Sequence, residues 1–211
     1  MRGKLDGKRL LQLAGLTFIA APLNVLLHEL AHILVLTLGG IPARLVALGS
    51  MTPIGFVWTF EGLRAAQLHY GAGDAVVVAG ALAGPVFTLA VGYGGLWAFR
   101  RWQALSLWAV AYSAVAPRSV ANLLFLTPKV IDGSITSSDE AIAAVFLGWP
   151  VWSLWWLLVI GVICMVLLII ALPKQERLPM AVIGFIASFV GFFIIEYLVN
   201  TLVFNLETWD R

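Results

Sequence analysis

The chain has 211 residues, 61% hydrophobic and 11% charged, with a mean hydropathy of +0.97 and a formal net charge of +2. Water-soluble domains carry about a quarter charged residues, so this composition excludes a soluble globule. The basic residues stand in short groups rather than along one face, which excludes a nucleic-acid surface, and no nucleotide partner is expected. Cys164 is the single cysteine; it permits no internal disulfide and no four-cysteine metal site, which leaves histidine and carboxylate side chains as possible metal ligands.

In chain order, Arg2, Lys4, Lys8 and Arg9 precede an apolar run over 10–38. That run is longer than a signal-peptide core and is read as an uncleaved first span. Further spans follow at 75–99, 104–126, 151–172 and 178–204, each long enough for roughly 30 Å of hydrocarbon. The expected fold is an all-α polytopic membrane protein of about five transmembrane helices, forming a single membrane-embedded domain over 1–211. Trp97, Trp102, Trp149 and Trp152 near span ends fit an interfacial aromatic belt. With five spans, Arg2, Lys4, Lys8, Arg9, Arg100, Arg101, Lys174 and Arg177 share one side, against Arg44, Arg64, Lys129 and Arg211. This predicts a cytoplasmic N-terminus, in a multi-pass protein of a bacterial inner (cell) membrane.

Inside the first span, residues 28–32 read His-Glu-Leu-Ala-His. The spacing puts His28 and His32 one turn apart on one helical face, where both imidazoles can reach a single Zn²⁺, and turns Glu29 to the neighbouring side as a base for water. Ionisable groups at membrane depth are costly, which makes them functional candidates.

After the first span, Ile41-Pro42 leads into Arg44–Leu48, a turn at Gly49-Ser50-Met51-Thr52-Pro53, and Ile54–Phe60. There Phe56, Trp58 and Phe60 alternate with Val57 and Thr59, which predicts a short β-hairpin. His69 and Asp74 are read as lying in the loop before the second span. Gly80 and Gly84 in the second span are four apart, a spacing for close helix packing, and Pro85 follows. Gly184, Ser188 and Gly191 in the last span take the same packing role.

A catalytic zinc needs a third protein ligand and an open position. Asp132 lies in the polar insert Thr127–Glu140, where Pro128 and Gly133 can turn a carboxylate back into the bundle. Asp139 is a rival, although Ser137-Ser138-Asp139 before Ala141 also reads as a helix N-cap. Glu196 and His69 are the other candidates. Arg118, deep in the third span, is expected to pair with Glu196 or an Asp, or to orient a ligand or oxyanion.

Together these motifs resemble the site-2 protease family of intramembrane zinc metalloproteases, in its small, compact form. The resemblance covers roughly 20–135: His28-Glu29-Leu30-Ala31-His32, closed by Gly39-Gly40; the β-like segment; Gly84-Pro85; and Asn122, Pro128 and Asp132-Gly133. Ile131 stands where that family has Leu, and Thr88 about where it often has Asn. The resemblance implies zinc held by His28, His32 and Asp132, Glu29 as base, and a transmembrane protein substrate unwound and cut within the lipid bilayer. On this reading Ile54, Gly55, Phe56 and Val57 pair with an extended substrate strand, and Gly84, Pro85 and Thr88 also face it. A non-proteolytic relative that binds membrane helices as a chaperone or sequestering partner is the alternative.

Overall fold

The computed structural model describes residues 7–126 and 138–203. Its elements are α1 (Gly7–Leu38), β1 (Ala43–Ala47), β2 (Ser50–Pro53), α2 (Phe60–Tyr70), α3 (Asp74–Trp102), α4 (Leu105–Ala121) with a π-helical turn at Asn122–Leu126, α5 (Asp139–Phe146), a 3₁₀ turn at Val151–Leu154, α6 (Trp156–Ala171) and α7 (Arg177–Leu202). Among the described residues, four segments are long and apolar enough to cross a membrane: Gly7–Leu38, Asp74–Trp102, Val151–Ala171 and Arg177–Leu202. The all-α architecture with a two-stranded sheet after the first helix is therefore as expected. The segment expected as the span 104–126 is α4, which runs on without a break into the π-helical turn ending at Leu126; nine of the 17 residues of α4 are buried, so it packs inside the bundle.

The outer helices are built inside out relative to a soluble protein. On α6, Gly161, Cys164 and Leu168 face inward, while Val159, Ile163, Val166 and Ile170 are exposed. That is the pattern of a helix whose outer solvent is hydrocarbon. Inward positions on α7 are mostly small: Gly184, Ser188 and Gly191 are buried, in line with their expected packing role. Pro22 lacks the N–H that would bond the Phe18 carbonyl within α1, and α7 packs close against α1 at Phe18. A Cβ on Gly191 would stand 2.1 Å from the Phe18 oxygen.

Two apolar clusters result. One joins Leu13, Phe99, Trp108, Tyr112, Cys164, Leu168 and Met180. The other joins Leu36, Ile41, Met51, Leu63, Val77 and Ile142. His28 and His32 fall between them along α1, and both are buried.

α1 stops at a Schellman turn. Gly40 has φ +90°, Ile41 N donates to Leu36 O, and Gly40 N donates to Thr37 O. The chain then enters the antiparallel hairpin, in register Ala43↔Pro53, Arg44↔Thr52 and Leu45↔Met51, with a bulge between Leu45 and Ala47. A side-chain bond ties it to α7: Leu48 N donates to Asn200 Oδ1 at 2.8 Å.

The hairpin is present, but its second strand is not where the alternation placed it. Strand β2 is Ser50–Pro53, the reverse turn is at Leu48-Gly49, and Ile54–Thr59 is not a strand. Ile54 N still reaches Pro42 O, at 2.9 Å. Gly55 then adopts φ +85°, which turns Phe56 and Val57 out of the ladder. Phe56 packs on the His69 and Tyr70 rings instead. Thr59 accepts from Gly62 N and starts α2, so Phe60 opens a helix. His69 consequently lies in the last turn of α2 rather than in a loop, and Asp74 is the first residue of α3.

Candidate metal centre

His28, His32 and Asp139 form a group that could hold a metal ion, the one such group among the described residues. Helix α1 supplies the histidines at i and i+4. Asp139 comes from the first position of α5, more than a hundred residues away. The reason it is free to do so is local. Ser138, not Asp139, caps α5, its hydroxyl accepting from Ala141 N at 3.1 Å. The Asp139 carboxylate is left to point at the imidazoles.

The three donor atoms make a near-equilateral triangle. His28 Nε2 is 3.1 Å from His32 Nε2 and 3.3 Å from Asp139 Oδ2, and His32 Nε2 is 3.5 Å from Asp139 Oδ2. For a tetrahedral ion bound at about 2.0–2.1 Å, ligand atoms stand about 3.3–3.4 Å apart. The spacing fits.

The protonation pattern fits as well. His32 Nδ1 lies 2.6 Å from the Gly80 carbonyl, which can only accept, so Nδ1 carries the proton and Nε2 presents its lone pair. His28 Nε2 lies 3.0 Å from Arg118 Nη1, which can only donate. That nitrogen is therefore also a lone-pair donor, and its Nδ1–H goes to Thr88 Oγ1 at 2.9 Å. With both rings neutral, two lone pairs and a carboxylate oxygen face one point, an arrangement that could hold a cation.

Supporting contacts orient each donor. Trp58 Nε1–H donates to Asp139 Oδ1 at 3.2 Å, and the Trp58 ring lies 5.1 Å from that of His32. Arg118 Nη2 donates to Asp139 Oδ2 and to Glu140 Oε1, both at 2.9 Å. Burial opposes ionisation of Asp139, yet the imidazoles and the Arg118 guanidinium around it hold its carboxyl well below the usual carboxylate range.

Gly84 provides the room. A Cβ there would stand 2.3 Å from His32 Nε2 and 2.5 Å from His28 Nε2. Pro85 is buried beside it, and Thr88 completes the same face of α3. Of the three α3 residues expected to face substrate, Gly84 and Thr88 stand against the histidines, with Thr88 bonded to His28. Thr88→Val should lower metal affinity about 10- to 100-fold, measured by competition with a chelating dye. Unchanged affinity would remove the hydroxyl from the design.

Glu29 is half-buried and makes no hydrogen bond or ion pair among the described residues. It lines a cavity of about 390 Å³ together with Asn24, His28, Thr88, Arg118 and Asp139, closed on the α7 side by Phe189, Phe192 and Phe193. One end of this cavity is polar; most of the rest is apolar.

The sequence-derived candidates separate clearly. Asp132 lies outside the described residues. Glu196, half-buried on α7, and His69, on α2, do not belong to the group that could hold a metal ion. Arg118 pairs with Asp139 and Glu140, not with Glu196. Ile54, Gly55, Phe56 and Val57 fall in the turn after β2, so they offer no regular strand edge to an extended peptide. Trp58 and Glu140 were not anticipated. Trp58 had only its place in the alternating run, and Glu140 only its adjacency to Asp139.

Against known proteins, no family model, no curated protein and no solved structure matches this chain.

Proposed function

We propose that this chain is an intramembrane zinc metalloendopeptidase, similar to the site-2 proteases, that hydrolyses peptide bonds in or near transmembrane segments of substrate proteins. We further propose that His28, His32 and Asp139 hold the zinc, in a multi-pass protein of a bacterial inner membrane. The observation that carries this reading is the triangle of donors 3.1–3.5 Å apart, adjoined by a carboxylate with no hydrogen-bond partner among the described residues.

When bound, zinc would act as a Lewis acid on a carbonyl and lower the pKa of water from 15.7 towards about 7. Glu29 accepts the proton of the attacking water and returns it to the leaving amine as the C–N bond breaks, giving a carboxylate and an amine. His32 and His28 each donate an Nδ1–H, to Gly80 O and Thr88 Oγ1 respectively, which fixes the orientation of both rings. Arg118 stands at the edge of the cavity, where its guanidinium can donate to the carbonyl oxygen as negative charge grows there. The phenylalanines of α7 keep bulk water from that end.

A second reading rests on Arg118. Its Nη1 and Nη2 bond His28 Nε2 and Asp139 Oδ2, two of the atoms a metal needs. A protein that keeps those bonds would use the cavity to hold a membrane helix without cutting it.

Purified full-length protein in lipid nanodiscs, offered a panel of transmembrane peptides and read by mass spectrometry, decides between them. Proteolysis predicts cuts within or beside the apolar segment that stop on chelation and return with Zn²⁺. Zinc-loaded protein that binds peptides and cleaves none of them would overturn it.

A further inference from the structure

Asn24 lies one turn before His28 on α1, so their side chains share a face about 6 Å apart. It is 8% exposed and lines the same cavity. Its amide nitrogen donates to Val110 O and to Ser113 Oγ, each at 3.0 Å. A backbone carbonyl can only accept, so the orientation of the carboxamide is fixed: nitrogen towards α4, oxygen away from it. Both N–H bonds are used. The oxygen makes no hydrogen bond among the described residues, and it is not sealed in, because the one fully enclosed unpaired side-chain atom among them is Glu176 Oε2. An immobilised acceptor thus opens onto the cavity beside the polar end. Left unpaired in so apolar a wall, an amide oxygen is costly.

We propose that Asn24 is a substrate-positioning residue whose Oδ1 accepts a backbone N–H from an unwound substrate peptide, roughly two residues from the scissile bond. This rests on the proteolytic reading above. An extended chain advances about 3.3 Å per residue, so about 6 Å spans two residues. An intact transmembrane helix bonds nearly all its N–H groups internally and has none to give. Asn24 therefore favours segments that unwind, and it does so without reading side chains.

The test uses synthetic transmembrane peptides whose span contains only Leu, Ala and Gly, so that every donor in it is a backbone N–H. Each N–H near the cleavage site is replaced in turn by an ester oxygen. Binding is measured to the Glu29→Gln chain, and kcat/KM with the wild type. One ester position should weaken both by about 3- to 10-fold, and the same ester should have no effect in Asn24→Leu. If no position responds in the wild-type cavity, the proposal is overturned, whether or not Asn24→Leu folds. Equal ester effects in wild type and Asn24→Leu overturn it too. A chain that binds with the single ester defect yet never cleaves overturns the proteolytic reading and leaves Asn24 in place. Cleavage with no responding ester overturns Asn24 alone.

Discussion

Glu29→Gln is expected to keep its zinc and to cut turnover by about 10²- to 10⁴-fold, the usual contribution of a positioned proton-transfer group. The expectation follows from what Glu29 does not do. It is not among the three donors of the group that could hold a metal ion, so on this assignment its charge is not needed to bind the ion. It also has no hydrogen-bond partner among the described residues, so neutralising it orphans nothing. A glutamine has nearly the same shape and cannot accept the proton. Zinc content, thermal stability and single-turnover cleavage, measured on one preparation, separate the outcomes. Zinc and fold retained with full activity would remove Glu29 as the base; loss of zinc would make it a ligand instead.

Gly84→Ala is expected to abolish metal binding through a single methyl group. The added carbon would stand 2.3 Å from His32 Nε2 and 2.5 Å from both Cε1 and Nε2 of His28, well inside van der Waals contact. Neither ring can retreat cheaply, since the Gly80 carbonyl and the Thr88 hydroxyl hold their far nitrogens. Altering one such supporting partner costs about 10- to 100-fold in metal affinity, and displacing two ligands at once costs more. The matched control is Gly94→Ala on the same helix, where a Cβ meets nothing within 4 Å. That change should be neutral or slightly stabilising, because alanine is the better helix former. Metal analysis of the two variants side by side checks the claim, and equal zinc in both would contradict it.

Much of this architecture is written locally in the chain. Apolar runs gave the long helices, because hydrocarbon thickness sets a length that composition reveals. The pair of histidines on one face of α1 follows from helical periodicity alone. Local cues were weaker between the spans. The alternation of Phe56, Trp58 and Phe60 has the period of a strand, but Gly55 at φ +85° and the Thr59 cap override it. Capping and left-handed glycines are strong where they occur, and alternation over five residues is not.

The placement of Asp139 beside the histidines was the least legible feature. Asp132 and Asp139 sit in the same polar insert, and which of them meets α1 depends on how a distant helix is docked. The adjoining residues held a clue. Ser138 can cap α5 by itself, which releases Asp139, and Glu140 next to it supplies a partner for the deep Arg118. Asn24 escaped notice for a related reason: the partners that fix its amide, Val110 and Ser113, come from α4.

The most direct test is zinc stoichiometry in three purified chains: wild type, Asp139→Ala and Asp132→Ala. If the ion is held by His28, His32 and Asp139, the wild type and Asp132→Ala carry equal zinc, and Asp139→Ala carries almost none. Zinc retained in Asp139→Ala and absent from Asp132→Ala would contradict this assignment and give the third position to Asp132. A wild type that binds no zinc at all would contradict the metal centre itself.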